Sequence, residues 1–384
     1  MKWVYTAPNR AHHYPYARAL ADAGVLGTFV SGFSRLSPRS EVELPSGRLK
    51  RVDLWQSAYV LSARLPFLSY GQREALSVQS KRALDAATSR ALTEANGALF
   101  YAGTGNATCR RWKGQRVLVC EAVNSHWLHQ YEILADECAR LKLPAPPFHP
   151  AERDRRLRDY AEADCILGPS DFVLESFRAR GVPTDRLLKV RYGAPAPVAL
   201  KSEPEAADKP FRVLYVGQLN FRKGLRYLAQ AFDRLRVPRK ELWLVGPEAP
   251  PTGMEGAEWP TGTQLRGVLK GEELTAAYRA ADVFVQPSLE EGLSLVVGEA
   301  MAHGLPVVAS EHSGAAELLE AGRSGWLFPA RGVDELTTHL ETLAVDPELR
   351  RVMGEAAARR IAEVGGWDRA GRELVTTLAR ISPA

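Results

Sequence analysis

The strongest constraint on the fold is an alternation that stops and then restarts. Short apolar runs at 3–6, 27–30, 98–101, 116–120 and 165–168 read as strands, separated by amphipathic stretches such as 15–23. Strands divided by helices pair in parallel, because a long crossover is needed to return to the same end of a sheet. From Gly193 to Lys209 the hydrophobic period dissolves into Pro, Ala, Lys and Glu, the composition of a connector. At Phe211 the alternation begins again. The sequence therefore predicts an α/β protein of two doubly wound, Rossmann-like domains, residues 1–195 and 210–365. A linker over 196–209 joins them, and an amphipathic helix within 366–384 closes the chain. Residues 31–96 read as long, irregular and partly helical. At 384 residues each half has enough chain for its own core.

Composition excludes several classes. Hydrophobic residues make up 45% and charged residues 25%, as in ordinary globular proteins. No run of about 18 apolar residues is present, so no spanning helix is expected. The first residues lead straight into a strand, without the basic-then-apolar order of a leader, and a cytoplasmic location is the expectation. Cys109, Cys120, Cys138 and Cys165 form no metal-binding spacing and are expected to pack as small hydrophobes. Gly103-Thr104-Gly105 opens like a dinucleotide fingerprint, but Thr108 stands at the third glycine position.

The net charge of +5 is unevenly divided: residues 1–200 carry roughly +9 and the remainder about −4. Two readings stay open, a solvated basic surface or a domain that meets something anionic. That partner would be a phospholipid at the inner face of the membrane or a phosphorylated acceptor. Nucleic acid is not expected, since the basic residues do not interleave with aromatics.

One segment carries most of the chemistry. Glu291 and Glu299 stand eight positions apart, between an apolar strand at 283–286 and another beginning at Val307. Ser294 is placed to cap a helix that runs to about His303, where Gly304 and Pro306 end it. Glu291 then lies in the loop before the helix and Glu299 inside it. Free N–H groups of Gly292, Leu293, Ser294 and Leu295 lie between them, a natural phosphate site.

This segment resembles the Glu-x7-Glu signature of retaining glycosyltransferases of family 4, which have the GT-B architecture. Val213–Gly217 followed by Arg222-Lys223-Gly224, Val245-Gly246 and the stretch 265–288 are similar to further family elements. The resemblance is close over about 211–330 and looser before. It implies two Rossmann-like domains facing a deep cleft, the last helix crossing back to the first. It also implies transfer of a hexose-type sugar from a nucleotide-diphospho-sugar, UDP- or GDP-linked, to a hydroxyl acceptor by front-face attack. No cofactor or metal is expected. A departing diphosphate needs a cation beside it, and the sequence lacks the Asp-x-Asp triplet that would hold a metal. Arg222 and Lys223 are the candidates to supply that charge.

The resemblance further places Gly217 and Gln218 at the donor phosphates, Val268 and Leu269 at the base, and Glu299 at the ribose hydroxyls. Glu291 and His126 would lie near the donor sugar, and Glu317 in a similar loop. Gln218 stands where many relatives carry arginine, and Arg222 is placed to compensate. His12 and His13 replace a glycine pair of many relatives and are candidates for the acceptor side. Residues 31–96, with Phe67, Leu68 and Tyr70, are expected to shape the acceptor site, whose occupant (glycan, lipid or small metabolite) is not visible. Two other readings remain. One is a GT-B sugar-nucleotide epimerase or disaccharide synthase or phosphorylase; the other is a nucleotide-sugar-binding protein without turnover.

Overall fold

A computed structural model describes the chain except for residues 38, 41, 42, 63, 64, 66, 147, 200–208 and 382–384. It contains two parallel sheets. The first, seven-stranded, is built from β1 (Trp3–Ala7), β2 (Leu26–Ser31), β3 (Leu49–Arg51), β4 (Gly97–Tyr101), β5 (Val117–Glu121), β6 (Cys165–Gly168) and β7 (Leu187–Lys189) in the order β3-β2-β1-β4-β5-β6-β7. The second, six-stranded, uses β8 (Phe211–Val216), β9 (Lys240–Val245), β10 (Thr263–Gly267), β11 (Val283–Gln286), β12 (Val307–Ser310) and β13 (Gly325–Phe328) in the order β10-β9-β8-β11-β12-β13. Most of the expected linker, 200–208, lies outside the described residues.

β1, β11 and β12 are buried at every position, as strands covered by helices on both faces must be. Both sheets follow one winding scheme, reversing direction between β1 and β4 and again between β8 and β11. At such a reversal the loops leaving the two strands part, and the crevice beyond their carboxyl ends is the place for a ligand.

The stretch 31–96 is more regular than expected. Helices at Leu54–Ser62 and Tyr70–Ala91 occupy most of 54–91 within it, and Ser69 and Gln72 close a capping box at the start of the longer one. Its period is hidden because Ser77, Ser80, Lys81, Asp85 and Thr88 are among its buried residues. The closing helix, Trp367–Arg380, packs against His13–Asp22 in the first domain. A Cβ on Gly371 would sit 2.2 Å from the Cβ of Ala19, so only glycine allows this approach.

Candidate active site

The two reversal crevices open toward each other. A cavity of about 310 Å³ lies between them, lined by His12, His13 and Tyr101 from the first domain and Gly217, Lys223, Glu291 and Leu293–Val296 from the second. Lys223 leaves the turn Phe221–Lys223 after β8 and pairs with Glu291. The turn is tight: Gly224 takes φ +66°, and a Cβ there would meet the Pro287 carbonyl oxygen at 2.0 Å. Burial would raise the Glu291 carboxyl, but Arg222 and Lys223 together hold it below its ordinary range. Burial lowers the Lys223 ammonium, against the pull of Glu291.

Ser294 precedes the helix Leu295–Ala302 without a side-chain capping bond, and Ser313 accepts the Ser294 N–H at 3.3 Å. The row of free N–H groups expected from the sequence is therefore shorter by one. Glu299 lies one turn further in, where it accepts the Tyr278 hydroxyl at 2.9 Å. Burial raises its pKa, opposed by that bond.

Arg222 takes a different position from the one its sequence context suggests. Its Nη1 donates to the Glu290 carbonyl at 3.0 Å and to the Glu290 carboxylate at 3.3 Å. It does not line the cavity, and Gln218 is exposed. In this arrangement Lys223 is the cation at the cavity wall.

Glu290, which sequence reasoning missed, fastens the two domains. Its buried carboxylate accepts the Ser125 hydroxyl at 2.8 Å, the Ser125 N–H at 3.1 Å, Gln130 at 2.6 Å and Asn124 at 3.2 Å, all from the first domain. The Ser170 hydroxyl donates to the Gly292 carbonyl at 2.5 Å. A Cβ on Gly292 would meet the Val123 carbonyl oxygen at 1.7 Å. Glu317 likewise reaches across, accepting the Asp171 N–H at 2.7 Å and pairing with Lys189. The domains are closed on one another, and several polar residues around the cavity serve that closure.

On the first-domain wall, His12 and His13 follow β1 and meet Glu121 at the end of β5. His12 Nε2 lies 2.8 Å from Glu121, His13 Nδ1 is 2.6 Å from the Tyr5 hydroxyl, and that hydroxyl donates to Glu121 at 3.1 Å. All of these residues are buried. Burial would raise the Glu121 carboxyl, yet the two imidazoles hold it well below its usual range. Burial, with His13 beside it, drops His12 to about 4, so its imidazole is neutral at pH 7. An ionised Glu121 accepting from Nε2–H fixes the tautomer of His12 and leaves Nδ1 with the lone pair. Tyr192 stacks on the ring at 4.1 Å and holds it in place. The three ligand-type atoms of His12, His13 and Glu121 lie within 4.8 Å of one another, a spacing open to a metal ion; His12 Nε2, His13 Nδ1 and Glu121 are engaged by these hydrogen bonds, and His13 Nε2 is buried with no partner among the described residues.

His126 is not at this wall. It caps the helix Trp127–Arg140, accepting the Leu128 N–H through Nδ1 at 3.3 Å, and packs against Tyr160 and Phe177. Burial lowers it to about 4. Val268 is exposed, and Leu269 is half-buried against the core of the second domain. No signal local to 117–121 marks Glu121; it follows only from pairing β5 beside β4 and β4 beside β1.

The paired Rossmann-like sheets and their facing crevices define the GT-B architecture. The chain aligns with sucrose-phosphate synthase of Thermosynechococcus elongatus at a TM-score of 0.70 and 20% identity, covering 99% of both chains. It aligns with Anabaena HepE, solved in complex with UDP, at 0.67 and 16%, covering 99% of this chain and 100% of that one. Residues 210–346, in the second domain, match the model of glycosyl transferases group 1. It is 37% identical over 168 residues to sulfoquinovosyl transferase SQD2 of Arabidopsis thaliana, covering 43% of this chain and 32% of that protein. It is 32% identical over 220 residues to amylovoran biosynthesis glycosyltransferase AmsK of Erwinia amylovora, covering 51% and 54%. The chain thus spans a third to about half of these relatives' length.

Proposed function

We propose that this protein is a retaining glycosyltransferase that moves a hexose-type sugar from a nucleotide-diphospho-sugar to a hydroxyl acceptor without a metal. The observation that carries this reading is the Lys223–Glu291 pair beside a helix N-terminus, facing the first domain across the cavity. The donor's ribose hydroxyls meet Glu299, with Tyr278 yielding its bond, because a carboxylate can accept from two adjacent O–H groups. The diphosphate lies against Lys223 and the first turn of Leu295–Ala302.

As the C1–O bond breaks, its electron pair passes to the diphosphate, and Lys223 neutralises the growing charge. Glu291 stabilises positive charge at C1. The acceptor oxygen bonds to C1 from the same face, and its proton leaves to a diphosphate oxygen. The His12–Glu121 pair is placed at the acceptor wall, where the Nδ1 lone pair orients the incoming hydroxyl. UDP is the nucleotide in the HepE complex, and UDP-2-fluoro glucose is bound in the E. coli structure described as trehalose-6-phosphate, which aligns at a TM-score of 0.64. These favour a UDP-sugar donor.

The test is turnover of UDP-glucose and GDP-mannose in EDTA, followed by NMR of the anomeric proton. Release of nucleoside diphosphate with retained α configuration is expected. Binding without turnover would reduce the protein to a nucleotide-sugar binder, and inversion would remove the front-face mechanism.

A further inference from the structure

The basic surplus of the first domain has a specific address. Beyond Tyr101, whose ring lines the cavity, two cations are packed around one carboxylate. Lys81 from Tyr70–Ala91 and Arg156 from Pro150–Glu162 both bond Glu152 Oε1, Arg156 through Nε at 2.6 Å. The side chains of Lys81 and Glu152 are each 10% exposed and that of Arg156 19%. Arg156 also lies close enough to the Tyr101 hydroxyl for its charge to oppose the rise that burial gives that group. The cluster borders Gly103, just past the end of β4, so it flanks the crevice of the first sheet.

An ammonium has three N–H donors and a guanidinium five. Glu152 Oε1 takes one from each, while Glu152 Oε2 is buried with no partner among the described residues. The other charged groups nearby are directed elsewhere. Glu74 accepts the Tyr59 hydroxyl at 3.4 Å and forms no ion pair with Lys81 among the described residues; Arg155 is bound to Asp85 and the Gly103 carbonyl. Among the described residues these two largely buried cations therefore share a single ion-pair partner, beside the wall proposed for the acceptor. A tetrahedral dianion offers several acceptor oxygens at once, enough to take the donors that one carboxylate oxygen leaves free.

We propose that Lys81 and Arg156, with the Tyr101 hydroxyl, form a subsite for a phosphate group carried by the acceptor, making it a phosphorylated small molecule. This rests on the transferase reading for the identity of the acceptor, but not for the existence of the anion site. The recessed position favours a soluble phosphate over a bilayer headgroup, which would have to leave its membrane to reach it.

The experiment is calorimetric titration of inorganic phosphate, glucose 6-phosphate and glucose into protein first saturated with UDP, which blocks the donor site. Wild type, Lys81→Met and Lys81→Arg are compared. The phosphorylated probes should bind and glucose should not, with affinity reduced roughly tenfold or more in Lys81→Met and largely retained in Lys81→Arg. UDP affinity should be the same in all three, which also shows that the variants are folded. Equal binding of glucose and its phosphate, no phosphate binding, or an unchanged affinity in Lys81→Met would overturn the subsite. If UDP itself does not bind wild type, the donor reading fails, and the same titration on UDP-free protein still decides the anion site.

Discussion

The two walls of the cleft are built in opposite ways. On the second-domain wall the working groups come from two loops next to each other in the sheet, after β8 and β11, and Lys223, Glu291 and Glu299 lie within a few turns of one strand pair. On the first-domain wall a buried carboxylate from β5 organises imidazoles from the end of β1, with β4 between the strands. The first arrangement is a local motif, proposed here to hold the donor; the second is a long-range hydrogen-bond network that sets one tautomer. Substitutions on the two walls should therefore fail differently, the second wall losing chemistry and the first losing order.

Lys223→Ala offers the sharpest contrast. Removing the cation that Lys223 brings to the cavity should lower turnover about 10²–10³-fold with little change in melting temperature, read by steady-state kinetics and calorimetric scanning. Gly292→Ala probes the contact between the walls. Its methyl group would collide with Val123, so closure should be lost, with turnover reduced roughly 100-fold and a larger radius of gyration in X-ray scattering. Unchanged scattering would mean that the closed arrangement does not depend on this approach.

Glu121→Ala tests the first wall. It strands His12 Nε2 in a buried site, while the Tyr5 hydroxyl keeps His13 as its partner, and should cost roughly 1–3 kcal/mol, seen as a lower urea midpoint. UDP affinity should stay near that of wild type. A loss of UDP affinity instead would move this network to the donor side.

The last contrast is in the dependence on pH. His12 and His126 are both held near 4 in the folded protein, below their ordinary 6.5, so the unfolded chain binds more protons. Their stabilising contribution is complete above about 6.5 and is lost as pH falls toward 4, at about 1.4 kcal/mol per pH unit for each group. His126→Asn keeps a capping acceptor and should flatten this limb between pH 6.5 and 4. An unchanged slope would show that His126 does not remain neutral.

The contrast also explains what the sequence made legible. The apolar runs at 283–286 and 307–310 and the carboxylates between them stand in one short window, so strand, loop, helix and charge could be read together. Residues 165–168 were equally plain, because a fully buried parallel strand is continuously apolar. Glu121 was invisible because its partners are more than a hundred positions away and only sheet order joins them. Glu290 was hidden by its neighbour: adjacent to Glu291 in sequence, it faces the other domain and serves closure. His126 misled for the complementary reason, since a histidine just past a strand end can face the cleft or cap the next helix, and only the direction of its Nδ1 decides. The helix Tyr70–Ala91 escaped notice because its buried face is rich in Ser, Thr, Lys and Asp, satisfied by partners from distant helices and loops.

The central claim is a nucleotide-diphospho-sugar site in the second domain that works without metal. Calorimetric titration of UDP, GDP and ADP in EDTA, with wild type and Glu299→Ala in parallel, addresses it directly. The account predicts that one nucleotide binds wild type and that its affinity falls at least about tenfold when Glu299 is removed. Failure of every nucleotide to bind, or binding only after a divalent metal is added, would contradict it.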